Sequence, residues 1–414
     1  MPLKVIVIGA GLGGLAAAIA LTRAGHDVEV FESSAFSNEV GAAIHIAPNA
    51  SRILRSWDMS LDKLAPVICR HLSVWNADGT FIATPAVTEK LQQELGIDDD
   101  WLLVHRVDLH HGLRELAEQG FAGKTPQIRL SSRVDRVDSE TGEVHLVNGT
   151  VAKADLIIGA DGVHSRTVQS ATGRVQKKIS TGQSCFRFLV PVAKANENPL
   201  TKQLVDRIGL ESLHAFCASD RRIIIYPCRT GTILNVVAFH PSGDDESVGE
   251  SSWLNTGSLD DLVAVYSDFS PEIRALCSLA EDLKLWSLAS RDPPHTFVGG
   301  KVALIGDAAH PMLPHQGQGA AQAFEDAAAL GALFQSNIPL EDISRRLAVY
   351  NEVRYKRAVT VMFMSRVGDD HRDEVMKDLQ KHIPDAVLPE NMWLYAWDSY
   401  PARDVDRLIA SNAV

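Results

Sequence analysis

A mixed α/β fold follows from three stretches of the 414-residue sequence. The first is an apolar run at residues 4–8, a glycine-rich turn, an Ala/Leu-rich stretch at 13–24 and a second apolar run at 28–32, a strand–helix–strand pattern. The second runs from about 184 to 240, where SCFRFLVPV, SLHAFCAS, RRIIIYPC and GTILNVVAFHP want a broad antiparallel sheet. The third is Val302 to Asp326, VALIGDAAHPMLPHQGQGAAQAFED, which reads as a buried strand, an acidic turn, a Pro- and Gly-rich loop and the start of a helix. The expected architecture is therefore a discontinuous Rossmann-like domain, an inserted antiparallel-sheet domain and a C-terminal helical extension.

Taken in order, Gly25 is expected to cap the first helix, because a helix end favours a residue free to turn left-handed. LSVWNADGTFIAT (72–84) predicts a hairpin about Asp78-Gly79, and EVHLVNGTVAKADLIIGADG (143–162) a second about Asn148-Gly149 that leads into a strand ending at Gly159. Ser258 with Asp261 predicts a capped helix through Tyr266, and Pro271 opens another. Beyond the last glycine loop, Ile343, Leu347, Tyr350, Val353 and Val361 recur at helical spacing, and Met362 and Met364 read as core. The expected nucleotide-domain segments are 1–70, 99–178 and 286–340, the sheet-domain segments 71–98 and 179–285, and the helical region 341–414.

Composition narrows the function. A chain with 45% hydrophobic and 22% charged residues has an ample core. A net charge of −12 argues against nucleic-acid or anionic-membrane surfaces, which need a basic field. Five scattered cysteines without a C-x-x-C fit buried thiols in a reducing compartment, and no metal site is expected. The N-terminus enters a strand at once, no 18 apolar residues run together, and the last residues match no retention or lipidation signal. A soluble, cytoplasmic protein, monomeric or homodimeric, is the expectation.

The chemistry-bearing motifs sit at strand ends. Gly9, Gly11 and Gly14 follow a strand and open a helix, and Glu32 ends the next strand. The first glycine permits the tight turn, the second admits a pyrophosphate, the third packs helix on sheet, and the acid accepts hydrogen bonds from a ribose. No arginine is present at position 33 beside that acid; the residue is Ser33, and no cofactor contact is expected of it. Only one such fingerprint occurs, so a nicotinamide donor would bind without a nucleotide fold of its own. Asp161-Gly162 closes a buried strand where open α/β sheets place ligands, or is a plain turn capped by Ser165. Asp307 can meet polyol hydroxyls, and Gly317, Gln318, Gly319 and Ala320 can aim helix-terminal amides at a developing negative charge.

These motifs together resemble the flavin-dependent aromatic monooxygenases of the single-component hydroxylase class. The marks are GAGLGG…FE, HRVDL (105–109), GADG (159–162), GDAAHP (306–311) and EDA (325–327), with GAAIHIAPNASRIL (41–54), YPCR (226–229), PHQGQGAAQ (314–322) and WLYAWD (393–398) beside them. The nearest group is that of salicylate hydroxylase and 6-hydroxynicotinate monooxygenase. The resemblance implies FAD, an NAD(P)H reductant and O2, with a flavin C4a-hydroperoxide transferring OH to a small phenolic or heteroaromatic substrate, with or without decarboxylation. It implies that Glu32 holds the ribose, Arg106 touches FAD, Asp307 meets the ribityl chain and the Gly317–Ala320 loop faces the flavin pyrimidine edge. Two positions depart from the pattern: Gln169 stands where an arginine is usual, with Arg166 nearby, and Ala43 replaces a glycine beside the flavin.

Among fifteen histidines, His315, His45 and His310 flank these loops. An imidazole suits a general base that deprotonates a phenol at neutral pH. His315 is the first candidate for base or substrate contact and His45 the second. Tyr226 is a candidate substrate contact. Arg187 or Arg229 can clamp a substrate carboxylate, or form a sheet-edge ion pair. Open alternatives are a tailoring hydroxylase or epoxidase of a larger metabolite or alkaloid, a flavoprotein oxidase, and a non-enzymatic FAD-binding regulator.

Overall fold

The computed structural model describes residues 2–35, 42–242, 256–335, 338–367 and 371–411. Its nucleotide-binding layer is a six-stranded sheet in the order Val298–Gly299, Val302–Leu304, Leu156–Gly159, Lys4–Ile8, Asp27–Phe31 and Gln127–Arg129. All neighbours run parallel except the short first pair. Ile8 lies opposite both Phe31 and Gly159, and Gly159 opposite Leu304. Three strands therefore stop in line, and the loops after residues 8, 159 and 304 share one edge, where a doubly wound sheet binds its ligand.

The helix Leu12–Arg23 packs its Ala-rich length against the helix Gly319–Leu333. Small side chains permit that approach: a Cβ on Gly13 would lie 3.2 Å from that of Ala323. The first helix is capped at Ala24, with Gly25 one residue beyond at φ 93°. The left-handed turn thus falls at Gly25 as expected, while the cap itself comes one residue earlier. Both expected hairpins form, about Asp78-Gly79 and Asn148-Gly149.

The second layer is a seven-stranded sheet in the order Glu281–Ser290, Ile179–Pro191, Ile233–Pro241, Arg222–Cys228, Leu213–Cys217, His71–Asn76 and Phe81–Val87. It is antiparallel except where Leu213–Cys217 meets His71–Asn76. That pair is parallel because the chain passes through the nucleotide layer between the two strands. Alternation gives the sheet two unlike faces. Phe186, Ile223, Ile225 and Val236 pack beneath the helices Pro199–Ile208, Leu259–Val265 and Pro271–Cys277. The Ser258 and Ser270 hydroxyls accept the Asp261 and Ile273 amides and cap the last two. The opposite face carries Cys185, Val237, Phe239 and Leu288, in contact with Leu313 of the glycine-rich loop.

A small antiparallel sheet of Ala43–Ile46, Leu102–His105 and Val67–Ile68, absent from the expected layout, joins the layers. Its core of Ala43, Trp101, Leu103, Tyr226 and Trp397 draws residues from both layers and the C-terminal region. The helix Ile343–Met364 closes the nucleotide layer, with Met362 and Met364 buried. Among the described residues no helix is long and apolar enough to cross a membrane.

Candidate active site

The first turn separates glycines that pack from a glycine that leaves space. A Cβ on Gly9 would lie 2.5 Å from the Ala160 carbonyl oxygen, and one on Gly14 would lie 1.9 Å from the Gly9 carbonyl oxygen. Gly9 also holds φ 98°, strained for any other residue. On Gly11 a Cβ would meet nothing within 4 Å, and the same is true of Gly162 and Gly319 at the neighbouring loops. These open faces on one sheet edge are where a phosphate and a flat ring can touch backbone, so the cradle fits FAD.

Polar side chains brace that edge. The Glu32 carboxylate accepts the amides of Ala10 and Ser34, each at 2.7 Å, tying the second strand to the glycine turn. At position 33, where no arginine is present, the exposed Ser33 donates its hydroxyl to the Glu32 carboxylate at 3.3 Å. Residue 33 thus brings no cation to the nucleotide end; a serine side chain has one hydroxyl, and its neighbour's carboxylate takes it. His110 bonds the Ala10 carbonyl at 2.8 Å, a support that nothing in the sequence pattern marked. The Asp161 carboxylate accepts Ser165 Oγ, Thr167 Oγ1 and the Arg166 and Thr167 amides, so it caps the helix Thr167–Thr172. What this turn leaves for a ligand is its backbone around Gly162. Arg166 turns outward to Asp135 at 3.3 Å, and Gln169 is exposed.

Asp307 opens into the cleft while protein walls it elsewhere, and burial raises its carboxyl against the opposing charges of His310, Arg291 and Arg106. Arg106 begins the helix Arg106–Gln119, and its amide donates to Ala42. Beneath the Asp307 turn lies buried Arg291, which sequence reasoning missed. Its guanidinium donates to the carbonyls of Asp307, Ala308 and Val163, stitching the Asp307 turn to the Asp161 turn.

The glycine-rich loop is held from below by charge. Glu325 and Asp326 are fully buried in the helix Gly319–Leu333. Arg354 bonds both at 2.6 and 2.8 Å, Arg357 bonds Glu325 at 2.7 Å, and His310 bonds Asp326 at 2.7 Å. Burial alone would raise the Glu325 carboxyl, but Arg357 and Arg354 bring it down to about 2. Asn49 donates to Glu325 at 2.7 Å and to the Gln318 side-chain oxygen at 3.1 Å, carrying the cluster up to the helix cap. The EDA motif pointed at these acids; their arginine partners lie 28 to 32 residues on and were not legible.

Above the loop, His45 and His315 differ from expectation. The His45 imidazole lies where a Gly317 side chain would be, 1.5 Å from an added Cβ. Its Nδ1 accepts the Trp101 indole N–H at 3.1 Å, and burial pulls its pKa to about 4. His315 is half-buried, edge-on to Phe239 at 5.0 Å between ring centres, and its Nδ1 accepts the Arg222 guanidinium. Burial and then the Arg222 charge lower its pKa to about 3. Each imidazole is thus neutral with its one proton on Nε2. Neither has the free basic nitrogen expected of a phenol-deprotonating group; each is an N–H donor.

Tyr226, expected to touch substrate, is buried with its hydroxyl donating to the Ala43 carbonyl at 2.8 Å, and burial raises its phenol. Asn235 accepts the Ala43 amide at 3.0 Å. The inserted sheet therefore clamps both polar groups of Ala43. Ala43 does not adopt a left-handed conformation, so nothing there demands glycine. Arg229 makes two 2.8 Å bonds to Asp108 and is the ion pair, not the clamp. Arg187 stacks at 4.3 Å over Trp286, with Nε buried and unpartnered among the described residues.

The chain matches the FAD binding domain family over residues 2–365. It is 35% identical over 405 residues to a FAD-dependent monooxygenase of Aspergillus candidus, covering 94% of this chain and 90% of that one. It is also 35% identical over 367 residues to hispidin-3-hydroxylase of Neonothopanus nambi, covering 86% of each chain. A solved salicylate hydroxylase substrate complex shares the fold, with a TM-score of 0.75 and 23% identity over 98% of this chain and 97% of that one. With the glycine cradle and these relatives in agreement, the chain belongs to the FAD-binding-domain family and is an FAD-dependent monooxygenase of the aromatic hydroxylase type.

Proposed function

We propose that the chain hydroxylates a small phenolic or heteroaromatic compound that carries an ionisable oxygen, using NAD(P)H and O2. Arg187 carries the reading: a guanidinium on the flavin-facing side of the inserted sheet, beside Cys185 and opposite Val237 in register, with no carboxylate among the described residues to neutralise it. A carboxylate or phenolate there gains a charge-assisted hydrogen bond, about 1.5–3 kcal/mol. Bound FAD supplies the redox chemistry, taking electrons from NAD(P)H and activating O2 for transfer of OH to the ring.

The chain supplies position and field. Glu32 and Arg106 hold the nucleotide end, the open backbone at Gly11 meets the pyrophosphate, and Asp307 meets the ribityl chain. The amides of Gly317, Gln318, Gly319 and Ala320, at the N-terminus of a 15-residue helix, stabilise negative charge on the reduced ring. The apolar face around Val237, Phe239 and Leu313 keeps water away. Within this reading the FAD-binding segments are 1–70, 99–178 and 286–340 and the sheet segments 71–98 and 179–285, the strand Glu281–Ser290 carrying the sheet slightly past 285.

A second reading, tailoring of a larger secondary metabolite, is favoured by the 35% identity to hispidin-3-hydroxylase. A panel of phenolic acids, hydroxypyridines and larger polyphenols, scored for stimulated NAD(P)H oxidation and product mass, separates the two. An oxidase would turn over without NAD(P)H, and a regulator would not turn over. Arg187→Met should weaken anionic members about ten- to a hundredfold and spare neutral ones; equal loss for both would sink the assignment of Arg187.

A further inference from the structure

Trp101 stands outside every recognised motif, yet it determines what His45 can do. It is fully buried, immediately precedes the strand Leu102–His105, and packs against Trp393 and Trp397 with ring centres 5.2 and 5.6 Å away. The strand Ala43–Ile46 pairs with Leu102–His105, placing His45 opposite Leu103. Tyr226 and Asn235 grip the same strand at Ala43. The His45 ring is therefore held by a tryptophan cage on one side and a clamped backbone on the other.

An indole N–H can only donate. The 3.1 Å bond from Trp101 Nε1 to His45 Nδ1 requires a lone pair on Nδ1. It excludes the imidazolium and the Nδ1–H tautomer, since either would set two hydrogens face to face. The remaining form carries its proton on Nε2, the atom that lies against Gly317 beside the helix-terminal amides. Glycine at 317 is what lets the ring come so close.

We propose that Trp101 is a positioning residue that locks His45 as an Nε2–H donor, so that its imidazole joins the Gly317–Ala320 amides in stabilising the anionic pyrimidine edge of reduced FAD. This rests on the placement of that loop against the flavin.

The test uses the substrate-free holoenzyme. In ¹⁵N-histidine NMR, the signal that disappears in His45→Gln should be that of an Nε2-protonated imidazole, and in Trp101→Phe the two tautomers should mix. The midpoint potential of bound FAD should fall in Trp101→Phe and in His45→Leu by about 30 mV, a tenfold weaker relative hold on the reduced form. His45→Gln should stay near wild type, because its amide oxygen accepts from Trp101 while its NH2 faces the loop. An Nδ1-protonated His45 in the wild type, or an unmoved potential in a Trp101→Phe protein that binds FAD fully, overturns the proposal. If Trp101→Phe does not fold, equal potentials in His45→Gln and His45→Leu overturn it. Gly319→Val tests the loop placement on its own, since its side chain would enter the open face. Normal FAD affinity and potential in that variant sink the placement; a perturbed flavin there with no effect in Trp101→Phe sinks only the role of Trp101 and His45.

Discussion

An imidazole is a base only when a nitrogen is free, and both His45 and His315 are bound at Nδ1 by an obligate donor. Trp101 holds His45, and Arg222 holds His315. A pKa pulled to about 3 leaves His315 neutral through the whole working range. It can steady an oxygen anion through Nε2–H but has little power to remove a proton. His315→Ala should therefore keep FAD bound and lower hydroxylation of an acidic phenol by about ten- to a hundredfold, the worth of one hydrogen bond to a charged group. That deficit should be the same from pH 6 to 9, and His315→Gln should recover part of it by accepting from Arg222 and donating from its amide. With a substrate ionised throughout that range, a deficit that shrinks as pH rises would contradict the donor role.

At the level of elements, the three strands ending at Ile8, Gly159 and Leu304 build the cofactor edge, and side chains elsewhere stiffen it. Gly9 and Gly14 are needed for packing, and so is Gly13, whereas Gly11 faces open space. Gly11→Val should thus leave stability within about 1 kcal/mol and abolish stoichiometric FAD binding. A yellow Gly11→Val protein with full flavin content would mean that the pyrophosphate lies elsewhere. The helix Gly319–Leu333 is anchored through Glu325 and Asp326 to Arg354 and Arg357 of the following long helix. Breaking such a buried pair one-sidedly is expensive, so the amides of the Gly317–Ala320 loop have little freedom to drift.

At the scale of the molecule, the site is a seam between two layers, closed by a small third sheet and the tryptophans of the C-terminal region. Such a seam buries titratable groups in their neutral form, and its stability must depend on pH. At the seam His45 is held near 4 and His315 near 3, and His214, on the helix-covered face of the inserted sheet beside Trp75, near 4, against 6.5 for an unfolded histidine. Below pH 6.5 the unfolded chain takes up protons that the native one refuses, so stability is complete above 6.5 and declines as pH falls toward 4. Each group contributes up to about 1.4 kcal/mol per pH unit in that window. Glu325, depressed from 4.5 to about 2, acts lower: its contribution is present above 4.5 and disappears as pH falls toward 2. Denaturant midpoints of the holoenzyme at pH 7.5, 6 and 5 should fall monotonically, and a flat profile would contradict the buried neutral histidines.

The chain alone determined the α/β class, the dinucleotide turn and the family, because those rest on local patterns: alternation, glycines at fixed offsets, an acid at a strand end. It also marked the inserted sheet and the long closing helix, whose hydrophobic periods are visible residue by residue. Protonation and partnership were not legible. Whether Arg187 or Arg229 is free depends on Asp108, 121 residues from Arg229, and the tautomer of His45 depends on an indole 56 residues away. Tyr226 read as a substrate contact until the Ala43 carbonyl, 183 residues distant, accepted its hydroxyl. A side chain's charge and donor state are set by whatever packs beside it, and at this seam the neighbours come from strands that only the tertiary fold brings together.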